Sequence, residues 1–121
     1  MNNAFFFDSM EATPLPPEEV RINSVSADPY PDGQRVRIAV EMTPFQIRPW
    51  LELTLVDSQG DEIATADVIE PLNYKIELTL HVRKAEPAGR YHLTVRLYYP
   101  EQADNDRKDV SFEIRAEKDS R

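Results

Sequence analysis

Apolar side chains recur at every second position through most of the chain, and this alternation constrains the fold more than any other feature of the sequence. Successive side chains of an extended strand point to opposite faces, so the pattern gives each strand one apolar face and one polar face. The segments that show it are 20–27, 35–42, 51–55, 63–69, 75–82, 91–97 and 110–114. We therefore expect about seven short strands.

Turn-forming residues separate these segments, at 28–33, 57–61, 86–89 and 100–109. No helical period interrupts the series. Short strands that each have one dry face are typical of two antiparallel sheets packed face to face. The sequence therefore predicts an all-β protein, an immunoglobulin-like two-sheet sandwich of about seven strands that spans residues 19–116.

One short segment carries a family resemblance. The run Pro-Ala-Gly-Arg-Tyr-His-Leu-Thr-Val at 87–95 resembles the entry to strand F of immunoglobulin-like and fibronectin type III-like domains. A tyrosine at that corner bonds back to the preceding loop in those families, and Tyr91 has the matching position. The resemblance covers 20–114 at the level of architecture. It implies that Leu93 replaces the second cysteine of antibody domains and that Ile38 replaces its partner.

Two tails flank the predicted sandwich. Residues 1–18 are expected to form a flexible tail, because the proline-rich, acidic stretch 11–19 favours extended backbone over ladder pairing. Phe5, Phe6 and Phe7 form an aromatic cluster in this tail, which could dock in a partner's groove or add to a sheet edge. The alternatives are packing on the chain's own sandwich, or disorder. Residues 117–121 are the predicted C-terminal tail.

Charge and composition exclude several function classes. The chain has 14 basic and 22 acidic residues and a formal net charge of −8, so phosphate backbones and anionic lipid surfaces would repel most of it. We therefore expect no nucleic-acid partner. Cysteine is absent, which removes disulfides, thiolate ligands and cysteine nucleophiles. No stretch approaches the ~18 apolar residues of a membrane span, and the apolar run near Met1 is too short for a signal sequence. We expect a cytoplasmic protein without membrane insertion.

No catalytic or metal constellation emerges from the spacing of polar residues. His81 and His92 occupy polar positions of strands predicted to lie in opposite sheets, so they cannot share an ion. The acidic segment 57–61 lacks the alternating oxygen ligands of a calcium loop and is better explained as a turn. The cluster Asp-Asn-Asp at 104–106 leaves weak calcium binding open. The serines lack a nucleophile-elbow context, so we expect no enzyme, metal or cofactor.

The hairpin order brings three loops to one end of the predicted sandwich, at 43–49, 70–74 and 98–101. They combine aromatic and apolar side chains with an arginine, residue types enriched among interface anchors. The candidate partner-binding residues of these loops are Phe45, Ile47, Arg48, Leu72, Tyr74, Tyr98 and Tyr99. The alternative is that several of them plug the open end of the core.

These features favour a non-enzymatic module that binds another protein, as a small subunit or adaptor of a larger assembly. Two alternatives stay open. One is a carbohydrate-binding sandwich in which Trp50, Tyr74 and Tyr98 stack on sugar rings. The other is an accessory or calcium-dependent domain of an enzyme. Trp50 is out of phase with Leu51, so it is expected on the outer face or at the strand's end, unless a bulge returns it to the core.

Overall fold

The computed structural model describes residues 13–102 and 104–116. Within them the chain forms one short 3-10 helix, Pro17–Glu19, and seven strands. The strands are β1 (Ile22–Pro29), β2 (Arg35–Met42), β3 (Trp50–Asp57), β4 (Glu62–Ile69), β5 (Lys75–His81), β6 (Gly89–Tyr98) and β7 (Asp104–Ile114). This confirms the all-β class and the number of strands. Over the described ranges, no helix has the length and apolar character needed to cross a membrane.

The strands form two antiparallel sheets. The first has the order β1-β2-β5 and the second the order β4-β3-β6-β7. The predicted immunoglobulin-like sandwich is thus confirmed as an architecture. In constant-type immunoglobulin domains the fourth strand belongs to the first sheet. Here β4 pairs with β3 and belongs to the second sheet.

The apolar faces of the two sheets meet in one core. The central strands β2, β3 and β6 supply most of it, because each is covered by a strand on both sides. Their fully or almost fully buried residues are Val36, Ile38, Val40, Met42, Leu51, Leu53, Leu55, Tyr91, Leu93, Val95 and Leu97. Ile38 and Leu93, which have the positions of the cysteine pair of antibody domains according to the family resemblance, are therefore both core residues.

Tyr91 forms the corner that the resemblance implies. Its ring is 1% exposed and stacks on Phe112 at 5.6 Å between centroids. Its hydroxyl donates a 2.5 Å hydrogen bond to the carbonyl oxygen of Pro87. Burial raises the pKa of Tyr91, so the neutral hydroxyl is the form that the fold holds. This bond ties the loop before β6 to the core.

The last strand begins earlier than the sequence predicts. The turn expected over 100–109 is shorter, because β7 starts at Asp104. Its first half pairs with β6 through the backbone, with Asp106 opposite Leu97. As an edge strand, β7 has charged side chains there and lacks the apolar alternation that marks the other strands. The prediction was wrong for 104–109 because the strand signal relied on that alternation.

The described part of the predicted tail lies against the sandwich. Leu15 donates its backbone N–H to the carbonyl of Pro44 at 3.1 Å, and Gln46 donates to the carbonyl of Leu15 at 2.9 Å. The Leu15 side chain packs on the core. A proline-rich stretch can thus still supply backbone hydrogen bonds and an apolar side chain to the sandwich, while the flexibility expected of residues 1–18 stays a prediction. Phe5, Phe6, Phe7 and residues 117–121 lie outside the described residues.

Candidate functional site

Three loops meet at one end of the sandwich, as the hairpin order predicts. We call residues 43–49, 70–74 and 98–102 the loop pole. The backbone N–H of Glu70 donates to the carbonyl of Pro49 at 3.0 Å, which joins the second loop to the first. The hydroxyl of Tyr99 donates to the carbonyl of Ile47 at 2.6 Å, which joins the third loop to the first. These bonds hold the loops as one surface.

The half of the pole above the first sheet is apolar. The ring of Phe45 packs on the core and meets the ring of Tyr74 edge-on, with 6.5 Å between centroids. Tyr74 is 37% exposed, and Leu72 beside it is 80% exposed. We call Phe45, Leu72 and Tyr74 the apolar patch. Phe45 closes the core, and the other two side chains present apolar area to solvent.

The half above the second sheet contains an open groove of about 430 Å³. Tyr99 forms part of its floor and is only 6% exposed, and burial raises the pKa of its hydroxyl. We call this cavity the pole groove. Its lining residues are Pro17, Ile47, Arg48, Trp50, Glu70, Tyr99, Pro100, Glu101 and Gln102.

Trp50 lies on the outer face at the start of β3, half-buried. It stays out of phase with Leu51, and it pairs across the sheet with Ile69 and Tyr98. The only register shift in the β3 pairings is at the other end of the strand, so no bulge turns Trp50 inward. The Trp50 and Tyr98 rings are 6.1 Å apart, and the Arg96 guanidinium covers the Tyr98 ring at 4.1 Å.

The seven predicted partner-binding residues that lie in the loop pole divide into three groups. Phe45 and Tyr99 plug the end of the core, as the alternative interpretation held for some of them. Tyr98 lies half-buried on the outer face beneath Arg96. The remaining four are exposed: Ile47, Arg48, Leu72 and Tyr74. The sequence predicted that these loops lie together, but it could not distinguish the side chains that close the core from those that are exposed to solvent.

Four polar side chains form a cluster on the outer face of the second sheet that was not visible in the sequence: His92, Thr94, Asp109 and Ser111. His92 Nε2 is 2.9 Å from Asp109 Oδ1, and His92 Nδ1 is 3.2 Å from Ser111 Oγ. The Thr94 hydroxyl donates a hydrogen bond to Asp109 at 2.6 Å. This bond is the largest cause of the low pKa of Asp109, about 2. Burial of the carboxyl acts in the opposite direction, and hydrogen bonds from Arg107 and His92 lower the pKa further. These contacts link β6 to β7.

The backbone of β6 gives these four side chains no free N–H donor. β6 is a central strand, so its backbone N–H groups pair with β3 and β7 and do not point at a substrate. Acyl transfer needs such donors aimed at the oxyanion. The arrangement therefore supports strand pairing, and His81 lies apart from it on the first sheet.

The acidic segments are bonded within the protein. Asp57 is buried in the β3–β4 turn, where its carboxylate accepts the N–H groups of Gln59 and Asp61 and the Lys84 ammonium at 3.1 Å. Burial alone would raise the pKa of Asp57, but the Asp61 N–H, Lys84 and the Gln59 N–H together lower it. This carboxylate is the structural centre of the turn, as the turn interpretation of 57–61 requires.

The side chains at 104–106 engage three separate partners. Asp104 pairs with Arg96 at 2.6 Å, the Asn105 amide donates to the carbonyl of Pro17, and Asp106 accepts the Ile22 N–H at 2.9 Å. Among residues 13–102 and 104–116, no three His, Asp or Glu side chains group as metal ligands. The cluster fastens the edge strand to the start of the sandwich.

No protein-family model matches the sequence, and no curated protein matches it. Solved structures share its fold. A glycosyl hydrolase family 2 member from Bacteroides cellulosilyticus has a TM-score of 0.59 at 15% identity, over 78% of this chain and 14% of that chain. The β-glucuronidase of Bifidobacterium dentium, complexed with coumarin-3-O-glucuronide, has a TM-score of 0.57 at 14% identity, over 78% and 18%.

The β-glucuronidase of Lactobacillus rhamnosus has a TM-score of 0.54 at 19% identity, over 79% of this chain and 16% of that one. This chain therefore spans less than a fifth of the length of each of these three enzymes. Identities this low establish a common fold only.

Proposed function

We propose that this chain is a non-catalytic accessory module of a larger carbohydrate-active enzyme assembly, which docks on a folded neighbour through the apolar patch of the loop pole. The observation that carries the proposal is the exposure of Leu72 and Tyr74 on one loop, which a backbone hydrogen bond ties to the loop 43–49. Aromatic and apolar anchors that project from a rigid surface are the common anatomy of interface centres.

The patch is suited to docking because its backbone is held in place. The Tyr74 carbonyl accepts the N–H of Met42 at 2.8 Å, and the Tyr74 ring rests on Phe45, itself packed on the core. Leu72 lies in the same loop, two residues away. A preorganised surface loses less conformational entropy on association than a mobile one, so more of its buried area contributes to affinity.

The type of neighbour is suggested by the structural comparisons. The similar sandwiches are small parts of long glycosidase chains. More than four-fifths of each of those chains lies outside the matched sandwich, so each sandwich belongs to a much larger protein against which an apolar pole can be buried. A folded domain of a carbohydrate-active enzyme is therefore the partner that we propose.

Affinity capture from cells that make this protein natively tests the proposal. We expect the intact chain to retain a carbohydrate-active enzyme, and the variant Leu72→Asp to lose most of it. Thr79→Asp is the matched control, because it adds the same charge at an exposed position of β5. Equal recovery by the two variants, or recovery of no carbohydrate-active enzyme by the intact chain, would contradict the proposal.

A second arm addresses catalysis. The purified chain should release no sugar from aryl glycosides, and adding it to the captured enzyme should change that enzyme's stability or rate. Hydrolysis by the chain alone, retained after repeated purification, would refute the non-catalytic part.

A further inference from the structure

The pole groove is lined by polar residues whose side chains have no bonded partner among the described residues. Over residues 13–102 and 104–116, no hydrogen bond or ion pair engages the side chains of Arg48, Glu70, Glu101 or Gln102. By contrast, Glu52 on the adjacent outer face is paired with Arg96 at 2.9 Å. Four residues with polar side chains that lack a partner among the described residues therefore line one cavity, and Trp50 also belongs to its lining.

We propose that the pole groove binds a neutral pyranose sugar, with Trp50 and Ile47 against the apolar face of the ring and the four polar side chains at its hydroxyls. A sugar hydroxyl both donates and accepts. The carboxylates of Glu70 and Glu101 accept, the guanidinium of Arg48 donates, and the amide of Gln102 does both. An aromatic wall with a few polar groups that fix orientation is the usual composition of a small-ligand site.

Charge selects among sugars. The groove has two carboxylates and one guanidinium, so an acidic sugar or a phosphate would meet net repulsion. Apolar ligands would leave the polar side chains without partners. A neutral sugar satisfies both conditions, because it has hydroxyls for the polar groups and a C–H face for the indole.

The volume and shape of the groove set the expected affinity. About 430 Å³ lies at the lower end of the range of small-molecule sites, roughly 300 to 1,000 Å³. The groove is open, and of its two aromatic lining residues Tyr99 is buried while Trp50 is half-buried, so much of a bound sugar stays in water. We expect dissociation constants near the millimolar range, on the order of 1 mM.

The backbone of Glu70 provides a discriminating variant. Its φ of 52° lies in the left-handed region, which is strained for a residue with a side chain and relaxed for glycine. Glu70→Gly therefore should raise the melting temperature while it removes one proposed ligand of the sugar. If the residue acted only through the fold, its replacement would not weaken sugar binding in a more stable protein.

The chain has one tryptophan, so its fluorescence reports on the groove directly. We expect a saturable change in Trp50 emission with at least one of cellobiose, lactose, maltose and xylobiose. Binding should weaken tenfold or more in Glu70→Gly and Glu101→Gln. Glu113→Gln, an exposed carboxylate at the other end of the sandwich, is the control and should bind as the intact chain does.

Three results would overturn the proposal. They are the lack of a saturable response to all four disaccharides, unchanged binding in both groove variants, and tighter binding of glucuronate than of glucose. Leu72→Asp separates this site from the docking function, because it lies outside the groove lining and should leave sugar binding intact.

Discussion

Replacing Tyr91 by phenylalanine removes one hydroxyl from the corner that joins the β5–β6 loop to the core. The ring and its stacking on Phe112 are unchanged, so the lost interaction is the 2.5 Å hydrogen bond to the Pro87 carbonyl. A hydrogen bond of this kind contributes about 1 kcal/mol net, and an acceptor left unsatisfied in a buried site costs about 1–3 kcal/mol. Pro87 is half-buried, so water can reach its carbonyl only in part. We expect Tyr91→Phe to lower the free energy of unfolding by about 1–2 kcal/mol.

Urea unfolding followed by the fluorescence of Trp50 measures this change. The urea concentration at the midpoint of unfolding should fall, while the slope of the free energy of unfolding against urea concentration stays constant, since the surface exposed on unfolding is the same. For a domain of this size, the melting temperature should fall by roughly 5–10 °C. Tyr74→Phe is the control, because no hydrogen bond engages the Tyr74 hydroxyl within the described residues, and it should change stability by less than about 0.5 kcal/mol. A Tyr91→Phe protein as stable as Tyr74→Phe would refute the reasoning.

Three further predictions concern stability. The pKa of Asp109 is lowered from 3.8 to about 2, so the stability that this group contributes is present above pH ~4 and is lost as the pH falls through about 2. The full shift corresponds to about 2.4 kcal/mol of stability, which solvent screening reduces to about 1 kcal/mol because a third of the side chain is exposed. Asp109→Asn should therefore lose about 1 kcal/mol less of its free energy of unfolding on acidification than the intact chain, and an equal loss would contradict the prediction. Asp57→Ala should lower the melting temperature more than Lys84→Met, because the carboxylate also accepts two backbone N–H groups, and equal effects in thermal scans would argue against this. Leu15→Ser should cost about 1–2 kcal/mol in urea unfolding, since the side chain packs on the core, and no loss would show that the docked segment adds nothing to stability.

The strands could be predicted wherever one face of the sheet is buried and the other is wet. That condition produces the alternation in β2, β3 and β6, and it fixes which residues enter the core. It fails at the start of β7, where an edge strand is held by backbone pairing and its side chains face water. The alternation also does not predict that Leu15 pairs with the loop after β2, because that contact depends on two backbone hydrogen bonds and on the single side chain of Leu15.

The candidate site was predictable only in outline. The order of hairpins determines that three loops share a pole, but the backbone path of each loop decides which side chain enters the core. The Tyr99 hydroxyl reaches the Ile47 carbonyl and the residue becomes a plug, whereas Leu72 extends into solvent. The contact between His92 and Asp109 depends on the register of β6 against β7, which a bulge beside Leu97 shifts. A single sequence does not encode that register in any visible pattern.

The proposed function requires the apolar patch of the loop pole to face a larger folded protein. A photo-reactive amino acid is placed at position 72 in one variant and at position 79 in a second variant. Cells that make this protein natively then express each variant and are irradiated. We expect cross-links from position 72 to one carbohydrate-active enzyme, mapped to a defined surface of that enzyme, and far fewer from position 79 on the outer face of β5. Cross-links of equal yield from both positions, or none to another protein from position 72, would contradict it.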